Sequence, residues 1–593
     1  MTTLTDSFDT EFDQIPGAQE ERAALRAEAE HAEQLGMVTG GSLSAGLDVK
    51  LDRHVPLETL AVGRYVVVRG RQARFFCMVT DVALDSANPA LAKMPPDLSD
   101  PFLAEVYHGT TVFGTVHLSP LVVLSAEGEV KPVKTVPEHF TPVFTASQAE
   151  VDQVFGEEGT HQVGGREAHF FHIGAPLDME SVKITINLER MVERSSGVFG
   201  KSGTGKTFLS RLLLSGIIKE GAAVNLVFDM HNEYGWEAGA EHTNAVKGLK
   251  QIFPGQVSIF TLDDESSRRR QSNPDFTVTI GYDRIEPEDL EMLAGIMNLT
   301  DAQVGAVYAL FRKFGQYWLT DFLNDEWVDE YRLDFDPDTG KEMKGLKALA
   351  SDLGQSQNTL AALRRRFERM RTYGFLKPKS LDDSVDRIMR YLEAGTSVVL
   401  EFGRYGSDLG AYILVANYLT RRIHRKYVER KERSLGLKDE GQRPLVITIE
   451  EAHKFLDPAI AGETIFGTIA RELRKYNVTL LIIDQRPSGI DPEVMSQIGT
   501  RVTMLLDNPN DIQAVLSGVN GATGLREVLS RLDTQEQALI LGHAVPMPVV
   551  VQTRRYDGDF YKAMGARSTD ELNAAVEERH KRLRPADHFD GFD

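Results

Sequence analysis

Gly200-Lys201-Ser202-Gly203-Thr204-Gly205-Lys206-Thr207 is the most informative stretch of the chain. It fits the pattern G-x-x-x-x-G-K-[ST], and chance supplies only roughly 0.02 to 0.03 such matches in a chain of this length. A short apolar run, Ser196-Gly197-Val198-Phe199, precedes it, and a helix-like segment, Phe208-Leu209-Ser210-Arg211-Leu212-Leu213-Leu214, follows. Strand, glycine-rich loop and helix are the context that phosphate binding requires: glycines let backbone N–H groups wrap the phosphates, and the helix N-terminus adds a favourable dipole. Lys206 is expected to reach the β- and γ-phosphates and the Thr207 hydroxyl to hold Mg²⁺. The expected nucleotide-binding set is therefore Gly200, Lys201, Ser202, Gly203, Thr204, Gly205, Lys206, Thr207 and Phe208.

Working outward, short apolar runs alternate with helical stretches. The runs are 196–199, 223–228, 257–262, 397–402, 445–449, 479–483 and 502–506. This predicts an α/β P-loop core with a parallel-rich sheet. Between the third and fourth runs, helical periodicity (Leu290, Leu293, Ile296, Met297; Val304, Val307, Tyr308, Phe311) predicts a helical insertion subdomain. Before the core, β-branched and aromatic runs separated by turn residues predict a small N-terminal β-barrel. The expected boundaries are an acidic leader at 1–41, the barrel at 42–165, the core at 166–285 and 395–565, the insertion at 286–394 and a C-terminal extension at 566–593.

A P-loop hydrolase also needs a carboxylate near the metal and another to activate water at the end of a neighbouring strand. Leu445-Val446-Ile447-Thr448-Ile449-Glu450-Glu451-Ala452-His453 supplies the pair. Adjacent strand residues point to opposite sides, which assigns Glu450 to the metal's outer shell and Glu451 to general base. The competing reading is an acidic helix cap. His453 either orients the base or is a satisfied structural histidine. A second acidic cluster, Asp229-Met230-His231-Asn232-Glu233-Tyr234, follows another strand. Asp229 and Glu233 are expected to face the nucleotide or a subunit interface, an ordinary strand-to-helix turn being the alternative.

Composition narrows the class. The 593 residues carry a net charge of −21, which argues against non-specific nucleic-acid or membrane binding over the whole surface but leaves room for a local basic channel. The first 35 residues alone account for −7. A single cysteine, Cys77, rules out an intramolecular disulfide and a Cys-rich zinc site. No apolar run reaches the length of a membrane span and no signal peptide is evident. The expectation is a cytoplasmic protein.

With Gly174-Ala175-Pro176-Leu177 ahead of the P-loop strand and Asp484-Gln485-Arg486-Pro487-Ser488 at a later strand end, these motifs together resemble the HerA family, hexameric ATPases of the FtsK/HerA branch. The resemblance implies a RecA-like ATPase core, ATP and Mg²⁺ as ligands, and a homohexameric double-stranded DNA translocase or helicase working with a NurA-like nuclease in DNA end processing. It implies that Gln485 senses the γ-phosphate and that Arg474, or failing that Arg471, acts as an arginine finger across the subunit interface. Arg194 matches an arginine of inter-subunit communication. Glu450 departs from the aspartate of many P-loop motors, and its extra methylene suits a water-mediated contact with the metal.

Three basic clusters, Arg268-Arg269-Arg270, Arg364-Arg365-Arg366 and Arg421-Arg422-Ile423-His424-Arg425-Lys426, are candidate DNA contacts. Nearby Asp and Glu residues make salt-bridged faces the ordinary expectation for them. No zinc-finger, nuclease or recognition-helix motif is present. The alternative function is an ATP-gated hexameric scaffold that regulates a separate effector without processive movement.

Overall fold

The computed structural model describes residues 33–88, 99, 107, 111–125, 129–163, 165–177, 179–237, 246–324, 334–335, 342–343, 345–380, 383–434, 442–462, 464–472, 475–519, 522–534 and 536–565. They fall into two compact units, Met1–Leu188 with Thr500–Arg555, and Glu189–Gly499 with Tyr556–Asp593.

In the first unit, the expected acidic leader lies outside the described residues as far as residue 32. From Gln34 the chain is already a strand, because Leu35 and Val38 reach an apolar core. Strands β1 (Gln34–Ser42), β2 (Gly46–Leu51), β3 (Tyr65–Arg69), β4 (Arg74–Ser86), β5 (Val112–Leu124), β6 (Val130–Pro132) and β7 (Pro142–Thr145) form one antiparallel sheet. Pairing of β2 with β5, Leu47 opposite Leu118, closes six of them into the expected barrel. Register shifts at Phe76/Cys77 and Val79/Asp81 bend the long β4–β5 hairpin toward that closure.

Strand alternation explains why whole stretches are buried. Val66, Val68, Phe75, Cys77 and Val79 fill the barrel, while the Tyr65 ring packs outside it against Phe76 and Phe155. Phe155 ends helix α1 (Gln148–Phe155), which starts in a capping box between Ser147 and Glu150. The Tyr65 hydroxyl accepts from Val550 N at 3.1 Å, which fixes the barrel to a second antiparallel sheet of the same unit. That sheet runs through β8 (Gly159–Val163), β9 (Arg166–Pro176) and β10 (Ile184–Asn187), joined by Val549–Thr553, Gln537–Gly542 and Thr500–Thr503 from late in the chain.

The second unit carries the α/β core. Strands β11 (Ser196–Phe199), β12 (Val224–Asp229), β13 (Val257–Thr261), β14 (Phe276–Thr277), β15 (Ser397–Glu401), β16 (Leu445–Glu450) and β17 (Val478–Asp484) pair in the order β11-β17-β16-β12-β15-β13-β14. Every pair is parallel. Except for β14 these strands are buried along their length, as a sheet with helices on both faces requires. Their apolar runs end in acids: Asp229, Glu401, Glu450 and Asp484 all close strands at the same edge and all are buried. The carboxyl ends of parallel strands are where α/β folds bind ligands.

Helix α2 (Lys206–Glu220) follows β11. The insertion supplies α3 (Asp301–Phe314), α4 (Gln357–Phe367) and α5 (Ser384–Glu393), and α6 (Leu409–Ser434) and α7 (Ile465–Glu472) follow β15 and β16. Trp318, Phe322 and Phe367 form the insertion's aromatic centre, and Trp318 Nε1 donates to Ile285 O at 2.9 Å. The insertion is held to α6 by Asp289, fully buried, which accepts from Arg421 at 2.7 Å and from Arg422 at 2.9 and 3.1 Å. One expected apolar stripe is shorter than its periodicity suggests. The helix from Pro287 stops at Glu291, and the following turns leave Ile296 38 % exposed.

Candidate nucleotide site

The phosphate loop lies between β11 and α2, and Gly200 N donates to Asp484 O at 3.3 Å, which pins the loop's start to the end of β17. Gly203 and Gly205 have φ of +80° and +97°, a region that costs other residues dearly. At Gly203 an added Cβ would meet nothing within 4 Å, so backbone conformation rather than space demands glycine there. The Thr204 hydroxyl and the Lys206 ammonium both donate to Lys201 O at 2.9 Å and close the loop on itself. Burial lowers the pKa of Lys206, against the opposing pull of Glu451, Asp484 and Glu450. Thr207 and Phe208 stand in the first turn of α2, whose leading N–H groups have no carbonyl of their own helix to bind.

The acid pair sits two strands away, on β16. Glu450 ends the strand, but Glu451 is no longer in it: its φ and ψ are 50° and 45°, left-handed, as the chain turns into the short 3-10 helix Ala452–Lys454. The two carboxylates therefore separate through this turn and not through strand alternation. A left-handed glutamate is strained and persists where its surroundings over-determine it. Gln485 Nε2 donates to Glu451 Oε1 at 3.2 Å, and His453 Nδ1 lies 3.5 Å from Glu451 Oε2. His453 is itself clamped by Asp484, which accepts from His453 N at 2.6 Å and faces Nδ1 at 3.0 and 3.2 Å. Asp484 also accepts from Arg486 N at 2.6 Å.

Glu450 is buried. The Tyr234 hydroxyl donates to its Oε1 at 3.1 Å, and its Oε2 has no hydrogen-bond partner. Burial, then Asp229 and Glu233, push it up to about 8, with the Tyr234 hydrogen bond acting the other way. The Tyr412 hydroxyl on α6 bridges its backbone, accepting from Glu450 N at 3.0 Å and donating to Glu450 O at 3.1 Å. Asp229 spends its carboxylate on backbone, accepting from Glu233 N, Tyr234 N and Gly235 N at 2.7, 2.8 and 3.2 Å. Burial and neighbouring Glu401 push it up to about 7 against those three bonds. Glu233 is half-buried, close enough to raise Glu450, and its carbonyl accepts from Arg211.

A Mg²⁺-nucleotide fits this donor set. The loop has the backbone of an anion cradle, Thr207 supplies a hydroxyl beside it, and the orphaned Glu450 Oε2 is a hard oxygen with no other use. Among the described residues no group of three or more His, Cys, Asp or Glu is placed to hold a metal by itself. Mg²⁺ ordinarily takes one or two protein oxygens together with substrate phosphates.

The arginines read from the sequence are distributed differently. Arg194 packs its aliphatic stem against Gly499, where a Cβ would lie 2.6 Å from its own. Arg471 Nη2 donates to Ala461 O at 2.8 Å and Nη1 lies 3.7 Å from Glu493. Arg474 lies outside the described residues. The basic clusters largely meet carboxylates of the same chain. Arg268 reaches Asp264 at 2.7 Å, Arg269 reaches Glu265, and Arg270 reaches the buried Glu401 at 2.7 Å. Arg425 meets Glu286 at 3.3 Å, and Lys426 meets Asp386 at 2.7 Å. Sequence reasoning gave no role to Tyr234, Tyr412 or the Asp484 side chain. Asp484 had a signal, an acid closing a buried run, whereas Tyr412 lies in an apolar helical stretch with nothing to single it out.

Residues 171–423, which include the loop, match the family model described as the central domain of helicase HerA. The DNA double-strand break repair helicase HerA of Sulfurisphaera tokodaii is 25% identical over 441 residues, covering 73% of this chain and 76% of that protein. Its Pyrococcus furiosus counterpart is 23% identical over 435 residues, covering 69% and 72%. Among solved structures, VirB4 of Thermoanaerobacter pseudethanolicus is similar at 13% identity and a TM-score of 0.40, covering 66% of this chain and 97% of that one. With the phosphate loop inside the matched central domain and these relatives aligned over most of the chain, the comparisons support membership of the HerA family.

Proposed function

We propose that this chain hydrolyses ATP with Mg²⁺ and, as a homohexameric ring, uses it to translocate on double-stranded DNA in the processing of DNA ends beside a separate NurA-like nuclease. One observation carries the reading: Glu451, Gln485, His453 and Asp484 converge at the ends of β16 and β17, against a phosphate loop whose lysine feels Glu451, Asp484 and Glu450. A protein that only bound nucleotide would have no use for a strained glutamate held by Gln485 at this strand end.

In this reading Glu451 takes the proton of the attacking water. Gln485 keeps its carboxylate in one orientation and reports the γ-phosphate. Lys206 and the loop amides hold the β- and γ-phosphates, while Thr207 and, through water, Glu450 hold the metal. Bound Mg²⁺ neutralises charge that develops on the phosphates. An arginine from the next subunit, Arg474 first and Arg471 or Arg194 after it, completes the charge stabilisation. Arg471 would have to leave Ala461 and Glu493 to do so. The relatives' names, DNA double-strand break repair helicases, support duplex DNA as the track. Among the described residues no helix is long and apolar enough to cross a membrane.

The test is ATP hydrolysis with and without duplex DNA. Wild type is expected to be DNA-stimulated, and Lys206→Ala and Glu451→Gln each to lose about a hundredfold or more. Unchanged hydrolysis in Glu451→Gln would remove the base assignment. The second reading, an ATP-gated scaffold for a separate effector, is favoured by the intrachain ion pairs of the basic clusters, which leave fewer charges for a DNA path.

A further inference from the structure

We propose that Phe208, backed by Arg211 and Tyr556, is the platform on which the planar base of the bound nucleotide stacks, an inference that rests on the nucleotide reading of the phosphate loop. Along α2 every residue from Leu209 to Ile218 is buried, yet Phe208 is 46 % exposed. Its position gives that exposure a use. Phe208 follows Thr207 in the first turn of α2, and helical side chains lean back over the turn N-terminal to their own Cα. The ring therefore stands beside the mouth of the loop, where the sugar and base of a nucleotide held by its phosphates must emerge.

The ring is also fixed from behind. The Arg211 guanidinium lies 5.6 Å from its centroid and 5.9 Å from that of Tyr556, and the two rings are 6.4 Å apart at 60°. Arg211 is 2 % exposed and donates to Glu233 O, in the turn that positions Tyr234 against Glu450. The Tyr556 hydroxyl donates to Lys247 O at 3.1 Å. A cation and an aromatic edge on the protein side hold the phenyl group in place and leave its outer part for a π-face. Every base offers such a face, so the platform takes ATP and GTP alike.

Binding to the full chain with Mg²⁺, followed by calorimetry, tests this. Phe208→Ala is expected to weaken ATP and GTP by about tenfold or more and to leave inorganic tripolyphosphate unchanged. Phe208→Trp is expected to keep affinity for ATP and to add tryptophan emission that ATP quenches and tripolyphosphate does not. Equal losses for ATP and tripolyphosphate would make the ring a prop for the loop and overturn the platform. Unchanged ATP binding in Phe208→Ala would overturn it too, the exposed ring then being cover for a neighbouring copy. Tripolyphosphate binding that survives Lys206→Ala would overturn the phosphate-loop reading itself, and the platform with it.

Discussion

Burial beside Asp229 and Glu233 pushes Glu450 up to about 8, so the nucleotide-free chain holds this carboxyl protonated at neutral pH. An unfolded glutamate titrates near its ordinary value of 4.5. Between those two values the folded chain binds one more proton than the unfolded chain, and stability falls as pH rises, levelling off above about 8. Glu450→Gln removes that slope. Thermal melts of the metal-free protein are expected to show the variant gaining on wild type from pH 5 to pH 8, and parallel curves would contradict the protonated carboxyl. At this scale the sequence was most readable where spacing encodes chemistry: the loop glycines, Lys206, Thr207 and the Glu450-Glu451 pair are neighbours in the chain. Tyr234 and Tyr412 were not readable, because each acts on Glu450 from a distant segment through a hydroxyl that no local pattern marks.

Elements follow from apolar runs more directly than their partners do. Six of the seven runs predicted core strands to within a residue or two, since a parallel strand buried on both faces must be continuously apolar; the seventh, 502–506, is instead the strand Thr500–Thr503, antiparallel in the first unit's sheet. Closure of the barrel through β2 and β5 rests on a pairing between distant segments, which alternation alone does not specify. The insertion was legible as helical, but its anchorage was not: Asp289 joins it to α6 by taking bonds from two arginines that the sequence offered as DNA contacts. Asp289→Ala would leave those guanidinium groups half-satisfied in a buried site, at a cost of about 3 kcal/mol. Hydrogen exchange of the amides of residues 286–300 is expected to accelerate on the order of a hundredfold. Unchanged protection would mean that packing around Trp318 alone holds the insertion.

Over the whole molecule, a net charge of −21 and two of the three basic clusters spent on internal carboxylates confine any DNA contact to a local path, such as the inside of a ring. Ring dependence has its own test in mixed assemblies. Arg474→Ala subunits combined with Lys206→Ala subunits are expected to regain partial ATP hydrolysis, because an intact loop then meets an intact arginine across some interfaces; two silent variants that stay silent when mixed would argue against a trans-acting residue. Movement along duplex DNA separates a motor from a scaffold, and displacement of a third strand from a DNA triplex measures it most directly. Wild type is expected to displace the third strand in an ATP-dependent manner and Glu451→Gln to lose this; brisk ATP hydrolysis that leaves the third strand in place would contradict a translocating motor.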